Sequence, residues 1–271
     1  MRLRANSSGH RYNVEVAGAG PALLLLHGFT GDGGAWHDFA SDLSGDFRVI
    51  RLDILGQGES DMPAQVASYA MSAVAADIID LLNQLEITAA QLLGYSMGGR
   101  LALYLALHYP ERFMSLMLES ASPGLADSGE RVERRRRDET LADKLEARGI
   151  DWFVDFWERL PLWASQANLP LTVLEAQRRQ RLANDPRGLA NSLRGMGAGA
   201  QPSLWQALSA LTIPTLLLVG EYDDKFRRIN QAMAEKIPKS RLVLIPSAGH
   251  NSHLENPAAF ARAVRSFLQG V

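Results

Sequence analysis

The sequence predicts an α/β protein: a mostly parallel sheet with helices on both faces, interrupted by an inserted helical lid. Three observations predict it. Short, uniformly apolar runs recur at Ala22-Leu23-Leu24-Leu25-Leu26, Leu92-Leu93, Phe113-Met114-Ser115-Leu116-Met117-Leu118 and Thr215-Leu216-Leu217-Leu218-Val219, as strands covered on both faces require. Segments with apolar residues at helical spacing lie between them, and such alternation implies a parallel sheet with crossover helices. From about residue 126 to 211 no convincing strand pattern remains.

The elements follow in order. Tyr12 to Val16 alternates apolar and polar residues in the manner of a half-buried strand, and Gly18-Ala19-Gly20-Pro21 breaks it before the Ala22 to Leu26 run. A glycine-rich loop, His27-Gly28-Phe29-Thr30-Gly31-Asp32-Gly33-Gly34, comes next. It lacks the Walker lysine and does not match Gly-x-Gly-x-x-Gly, so a nucleotide site is disfavoured and a backbone oxyanion donor at Phe29 fits better. Arg48 to Asp53 reads as the next strand. Tyr69 to Leu85 reads as a helix with Val74, Ile78, Leu81, Leu82 and Leu85 on one face. The run at Gln91-Leu92-Leu93 leads into Gly94-Tyr95-Ser96-Met97-Gly98, and a helical pattern starts at Arg100 and ends near His108-Tyr109-Pro110.

After the Phe113 strand the rhythm stops at Ser122-Pro123-Gly124, and helical stretches separated by Leu160-Pro161, Leu169-Pro170 and Asp185-Pro186 fill the insertion. The division expected is a core of residues 1–125 and 212–271 and a helical lid of residues 126–211. The sheet resumes at Pro214 to Gly220, a helix runs to Ile237, Arg241 to Pro246 forms the last strand, and Pro257 to Leu268 closes the chain as an amphipathic helix.

Composition bounds the function. With 271 residues and 46% hydrophobic content the chain can bury a sizeable core. A formal net charge of -2 provides no global basic field, so neither nucleic acid nor a membrane surface is an expected partner, and a small molecule is. Cysteine is absent, which removes disulfides and thiolate chemistry and fits a reducing compartment. The first ten residues carry positive charge but no apolar signal segment, and no later run reaches membrane-spanning length, so a cytoplasmic protein is expected.

The chemistry centres on Gly94-x-Ser96-x-Gly98. A strand that ends in this motif and turns at once into a helix is the context of a nucleophile elbow, in which a serine held in a strained turn presents its hydroxyl beside the N–H groups of a helix N-terminus. An acid just past Gly220, Asp223 with Asp224 as the competing choice, and His250 just past the last strand also lie at C-terminal strand edges, where open α/β sheets place their sites. The order Ser, Asp, His allows His250 to accept the serine proton while a carboxylate fixes its tautomer. His253 is read as starting or supporting the final helix, and His27 as orienting the glycine-rich loop. No His, Asp or Glu cluster has convincing metal-ligand spacing, so neither metal nor cofactor is expected.

The elbow, the His27-Gly28-Phe29 loop, Gly220-x-x-Asp223 and Gly249-His250 together make the whole chain resemble the α/β-hydrolase superfamily. Five segments narrow the resemblance: Gly94-Tyr95-Ser96-Met97-Gly98-Gly99-Arg100, Glu119 to Leu125, Pro161-Leu162-Trp163-Ala164-Ser165-Gln166, Gly220 to Phe226, and Ala248 to Pro257. They look like the menaquinone-pathway lyases that form 2-succinyl-6-hydroxy-2,4-cyclohexadiene-1-carboxylate. One departure is Gln57 in Gly56-Gln57-Gly58-Glu59-Ser60, where the superfamily often has histidine.

The resemblance implies an elimination that expels pyruvate from a cyclohexene bearing succinyl and enolpyruvyl groups and three carboxylates. It implies Ser96, His250 and Asp223 as general base, the amides of Phe29 and Met97 as oxyanion donors, and a polycarboxylate site. Arginine binds carboxylates through paired N–H donors, and the chain has 24 arginines to 4 lysines. Arg100, one turn past Ser96, is the first candidate. By similarity of the surrounding segments Arg134 and Arg181 are the others, with Trp157 and Tyr95 lining the pocket and Arg136 an alternative to Arg134. The remaining basic residues of the insertion alternate with acids and read as a salt-bridged surface. A monomer or weak homodimer is expected. The competing readings are a serine hydrolase acting on an ester or C–C bond, which acyl reporters would trap, and a ligand receptor without turnover.

Overall fold

A computed structural model describes residues 2–271. Its strands are β1 (Arg2–Ser7), β2 (His10–Ala17), β3 (Ala22–Leu26), β4 (Arg48–Leu52), β5 (Ala90–Tyr95), β6 (Phe113–Glu119), β7 (Thr215–Gly220) and β8 (Ser240–Ile245). They form one sheet in the order β1-β2-β4-β3-β5-β6-β7-β8. β2 runs antiparallel to both β1 and β4, and every later pairing is parallel.

The sheet is buried on two sides, and the period-2 alternation of its strands decides which side chain goes where. Leu24, Leu26 and Leu92 pack on one face with helices α2 (Met71–Gln84) and α3 (Met97–His108), while Leu23, Leu25 and Leu93 pack on the other with α1 (His37–Leu43) and α9 (Pro257–Leu268). Each such leucine removed from water contributes on the order of 1.5–3 kcal/mol. This accounts for the wholly apolar β3 and the Leu92-Leu93 centre of β5: with both faces covered, a polar residue fits only where it finds a buried partner, as Gln91 does by accepting the Ser115 hydroxyl.

Several boundaries differ from those read in the sequence. β1 was not anticipated. It is an edge strand of mixed composition, held by the hairpin turn at Ser8 and Gly9, both at positive φ (48° and 81°). The Ser7, Ser8 and Tyr12 hydroxyls all donate to Asp77 of α2, which fastens this hairpin to the core. α3 begins at Met97 rather than Arg100, because Gly98 and Gly99 are helical despite their weak propensity. α7 (Asp224–Ala234) stops short of Ile237.

Between β6 and β7 lie α4 (Ser128–Glu158), α5 (Leu171–Leu182) and α6 (Pro186–Met196), with no strand. α4 is broken at Gly149, whose φ of 82° and ψ of 177° turn its second arm. Ala142, Leu145, Phe153, Val154, Leu189, Ala190 and Leu193 make a small core of the insertion's own, against which Phe29 of the main body also packs. Polar contacts then fix the insertion over the C-terminal ends of the strands: Gln180 donates to Asp32 at 2.6 Å and Asn184 to the Thr30 carbonyl at 3.0 Å.

Candidate active site

The elbow is a matter of clearance. Ser96 has φ 50° and ψ -107°, a strained conformation for a residue with a side chain. A Cβ at Gly94 would lie 2.3 Å from the Gly98 carbonyl oxygen, and one at Gly98 would lie 2.4 Å from the carbonyl oxygens of Leu26 and His27. Only hydrogen fits at these two positions, so β5 and α3 can approach closely and hold the serine at the tip. The Ser96 N–H donates to the Glu119 carbonyl at 2.8 Å, tying the turn to β6.

The Ser96 hydroxyl donates to His250 Nε2 at 3.0 Å, and His250 Nδ1 donates to Asp223 Oδ2 at 2.7 Å. Asp223 is the acid in line with the imidazole. Asp224 instead faces solvent and accepts from Arg227 at 3.1 Å. His250 is 2% exposed and Asp223 7% exposed, so this row of bonds is shielded from water. Asp223 also caps α7 by accepting the Phe226 N–H at 3.2 Å, which fixes its carboxylate in place. In such an array a proton taken by Ser96 moves to His250, and the fixed carboxylate stabilises the resulting imidazolium.

Phe29 and Met97 flank the serine. A Cβ on Gly28 would lie 3.6 Å from Ser96 Cβ, so the peptide that leads into Phe29 passes beside the hydroxyl. Among the described residues no acceptor engages the Phe29 or Met97 N–H. The Ile54 N–H donates to His27 Nε2 at 2.9 Å, so Nδ1 carries the proton and donates to the Gly28 carbonyl at 2.8 Å. That bond orients the peptide unit bearing the Phe29 N–H.

The arginines divide into groups. Arg100 is half-buried, donates to the Met196 carbonyl and to Gln201 Oε1, both at 2.8 Å, and has its pKa pushed down to about 10 by burial and by the like charge of Arg134. Arg134 donates to Asp138 at 2.8 Å, whereas Arg136 is 76% exposed and pairs with Glu133. Of these two, therefore, Arg134 lies on the Arg100 side. The Arg181 side chain is 6% exposed, bonds Glu158 at 3.0 Å, and lies 5.1 Å over the Trp163 ring; burial lowers its pKa. It shares a cavity of about 40 Å³ with Phe29, Tyr95, Trp163 and His253. The Tyr95 hydroxyl is buried with no partner among the described residues, and burial followed by the nearby Glu119 charge raises its pKa well above the usual phenol value.

Trp157 meets Phe29 edge-on at 5.5 Å and stands 6.1 Å from Trp163. Trp163 and Phe226, not singled out from the sequence as site residues, contact the His250 ring at 5.8 and 4.6 Å. Each lies inside a segment that carries the family resemblance, Pro161 to Gln166 and Gly220 to Phe226. His253 is not merely part of a helix start. It lies within the single turn α8 (Ser252–Glu255), donates from Nδ1 to Glu119 at 2.6 Å, and stacks on Trp36 at 4.2 Å. Among the described residues no group of three or more potential ligands is placed to hold a metal ion, and no helix is long and apolar enough to cross a membrane.

A strand-elbow-helix serine, a histidine after the last strand and an acid after the strand before it, on this sheet, define a class. The chain belongs to the alpha/beta hydrolase fold family, whose model matches residues 21–257. Within that family it is 43% identical over 98% of its length, and 97% of the relative's, to a Bacillus subtilis (strain 168) protein assigned as a 2-succinyl-6-hydroxy-2,4-cyclohexadiene-1-carboxylate synthase. It is 34% identical, over 92% of both chains, to the 2-succinyl-6-hydroxy-2,4-cyclohexadiene-1-carboxylate synthase of Enterobacter sp. (strain 638). Among solved structures, MenH from S. aureus superposes with a TM-score of 0.91 at 36% identity, covering 96% of this chain and 98% of that one. A malate-bound thermophilic esterase from Thermogutta terrifontis gives 0.88 at 32% identity, covering 100% and 98%.

Proposed function

We propose that this protein is a cofactor-independent lyase of menaquinone biosynthesis. It eliminates pyruvate from 2-succinyl-5-enolpyruvyl-6-hydroxy-3-cyclohexene-1-carboxylate to give 2-succinyl-6-hydroxy-2,4-cyclohexadiene-1-carboxylate. The observation that carries this reading is the Ser96-His250-Asp223 array together with two buried or half-buried arginines, Arg100 in the first turn of the helix that follows Ser96 and Arg181 in the cavity lined by Tyr95. A hydrolase needs the first, and a multiply charged acid also needs the second. The near full-length similarity to the synthases supports the same reading.

In this mechanism Ser96 removes the proton on the ring carbon beside the succinyl ketone and passes its own hydroxyl proton to His250. Charge develops on the ketone oxygen, where the Phe29 and Met97 amides act as donors; one such donor is worth about 2.7–4 kcal/mol of barrier. The electron pair returns through the ring to expel the enolpyruvyl oxygen, which departs as enolpyruvate and takes up a proton to become pyruvate. No acyl-serine forms. Arg100, Arg134 and Arg181 bind the carboxylates, with Tyr95 and Trp157 lining the pocket. The cavity of about 40 Å³ beside Tyr95 holds only one or two waters, so loading the substrate displaces the Trp163 and α5 side of the insertion. The cytoplasmic location belongs to the same proposal, since a triacid substrate is confined to an aqueous compartment.

The test is pyruvate release from the enolpyruvyl cyclohexene substrate by the purified protein with no cofactor added. Turnover is expected. Hydrolysis of acyl esters with a burst that traps Ser96, and no pyruvate release, would establish the hydrolase reading instead.

A further inference from the structure

The residue at which the sequence departs from its superfamily, Gln57, is 1% exposed and engages both sides of the serine. Its Oε1 accepts the Thr30 N–H at 2.7 Å, and its Nε2 lies 3.9 Å from Met97 Sδ. Thr30 has φ 72°, a conformation that a β-branched residue holds only when its surroundings impose it. The opposite side of Thr30 is held from the insertion: Asn184 Nδ2 donates to the Thr30 carbonyl at 3.0 Å, while its Oδ1 accepts the Gly58 N–H at 3.2 Å. Asn184 is 4% exposed. The peptide units before and after Thr30 are thus each fixed by one buried amide side chain.

We propose that Gln57 and Asn184 are positioning residues that clamp the two peptide units of Thr30 and so aim the Phe29 N–H at the oxyanion. Two bonds to the Gly28 carbonyl, from His27 Nδ1 at 2.8 Å and from the Gly31 N–H at 3.1 Å, orient the Gly28-Phe29 peptide plane. In a trans peptide the Phe29 N–H points opposite to that carbonyl. Released at Thr30, the chain relaxes to negative φ, Gly31 shifts, and the plane loses one of its two holds. Gln57 acts on the Met97 side as well, through a sulfur that also receives the Ser192 hydroxyl at 3.7 Å. Because Asn184 belongs to the insertion, the donor is fully set only while the insertion is seated on the core.

The proposal rests on Ser96 and its flanking amides as the reacting site, and its test separates the two. Gln57→Ala and Asn184→Ala are assayed for pyruvate release and, in parallel, for hydrolysis of a p-nitrophenyl ester, with crystal structures of both variants. The expected result is a fall in kcat of about tenfold or more in each variant with KM within about threefold of wild type. The double variant should lose little more than the worse single one, because both act on Thr30. Gln57→His, whose ring nitrogen can accept the Thr30 N–H, should recover much of the loss. In the variant structures Thr30 should leave its positive φ. Unchanged kcat, a loss confined to KM, or Thr30 still at positive φ in both variants overturns the proposal. If wild type hydrolyses the ester but releases no pyruvate while the variants still lose kcat, the clamp stands and the lyase reading falls.

Discussion

Glu119 and His253 form a buried pair at the end of β6. Glu119, fully buried, accepts from His253 Nδ1 at 2.6 Å, from the His253 N–H at 2.9 Å and from the Ser252 hydroxyl at 2.8 Å. Its own carbonyl receives the Ser96 N–H, so one residue ties the elbow to the loop that carries His250. Removing one partner leaves a buried acid short of a donor. His253→Ala is therefore expected to cost about 3 kcal/mol or more in urea unfolding. A loss below about 1 kcal/mol would mean that the pair contributes no stability of its own.

Ser96→Ala should lower kcat for pyruvate release by at least about 100-fold, the lower end of what a positioned base contributes, while the substrate still binds. Calorimetric titration of the variant with substrate checks the second half. Retained turnover would exclude Ser96 as the base.

Arg100→Ala and Arg181→Ala should act mainly on KM, because a carboxylate contact is made in the ground state as well as in the transition state. The carboxylate also offsets the repulsion that Arg100 meets from Arg134. Malate or succinate should therefore raise the Tm of wild type and raise that of Arg100→Ala less. Equal shifts in the two proteins would remove Arg100 from the anion site.

Tyr12 donates to Asp77 at 2.7 Å in a buried setting, and burial first, then the Asp77 charge, raises its pKa. Below pH 10 the phenol is neutral whether the chain is folded or not, and Tyr12→Phe should cost about 1.5–3 kcal/mol. Above pH 10 the unfolded chain releases this proton and the folded chain keeps it, so wild-type stability falls as pH rises. The gap between wild type and Tyr12→Phe should then close by about 1.4 kcal/mol per pH unit. Denaturant midpoints at pH 8, 10 and 11 measure it, and a constant gap would contradict the assigned cause.

Gly149→Ala meets no atom within 4 Å of the added Cβ, yet it places a side chain at φ 82° and ψ 177°, a region essentially reserved for glycine. The expected cost is about 1–3 kcal/mol in thermal or urea unfolding. A neutral substitution would show that the break in α4 is soft.

Much of this architecture was legible because two-sided burial leaves a plain imprint: β3 is wholly apolar, and the centres of β5 and β7 are the unbroken runs Leu92-Leu93 and Leu216-Leu217-Leu218-Val219. β1 left no such imprint, since an edge strand is half solvated and its pairing depends on a two-residue turn. At the site, the elbow glycines and the order of Ser96, Asp223 and His250 are local signals. Tertiary contacts leave no comparable local signal: nothing in the spacing of Trp163, Glu119 or Asn184 announces that they meet His250, His253 and Thr30. Gln57 was visible only as a departure, and its partners 27 and 40 positions away give it meaning.

The break at Gly149 divides α4 between two tasks. Its first arm carries Arg134 toward Arg100, and its second carries Phe153 and Trp157 onto Phe29. A straight rod would couple these ends rigidly, so that any change of pitch at one would misplace the other. The bend makes them separately adjustable: charge recognition and the apolar wall can drift apart in sequence, each tuned by residues of its own arm, without rebuilding the helix between them.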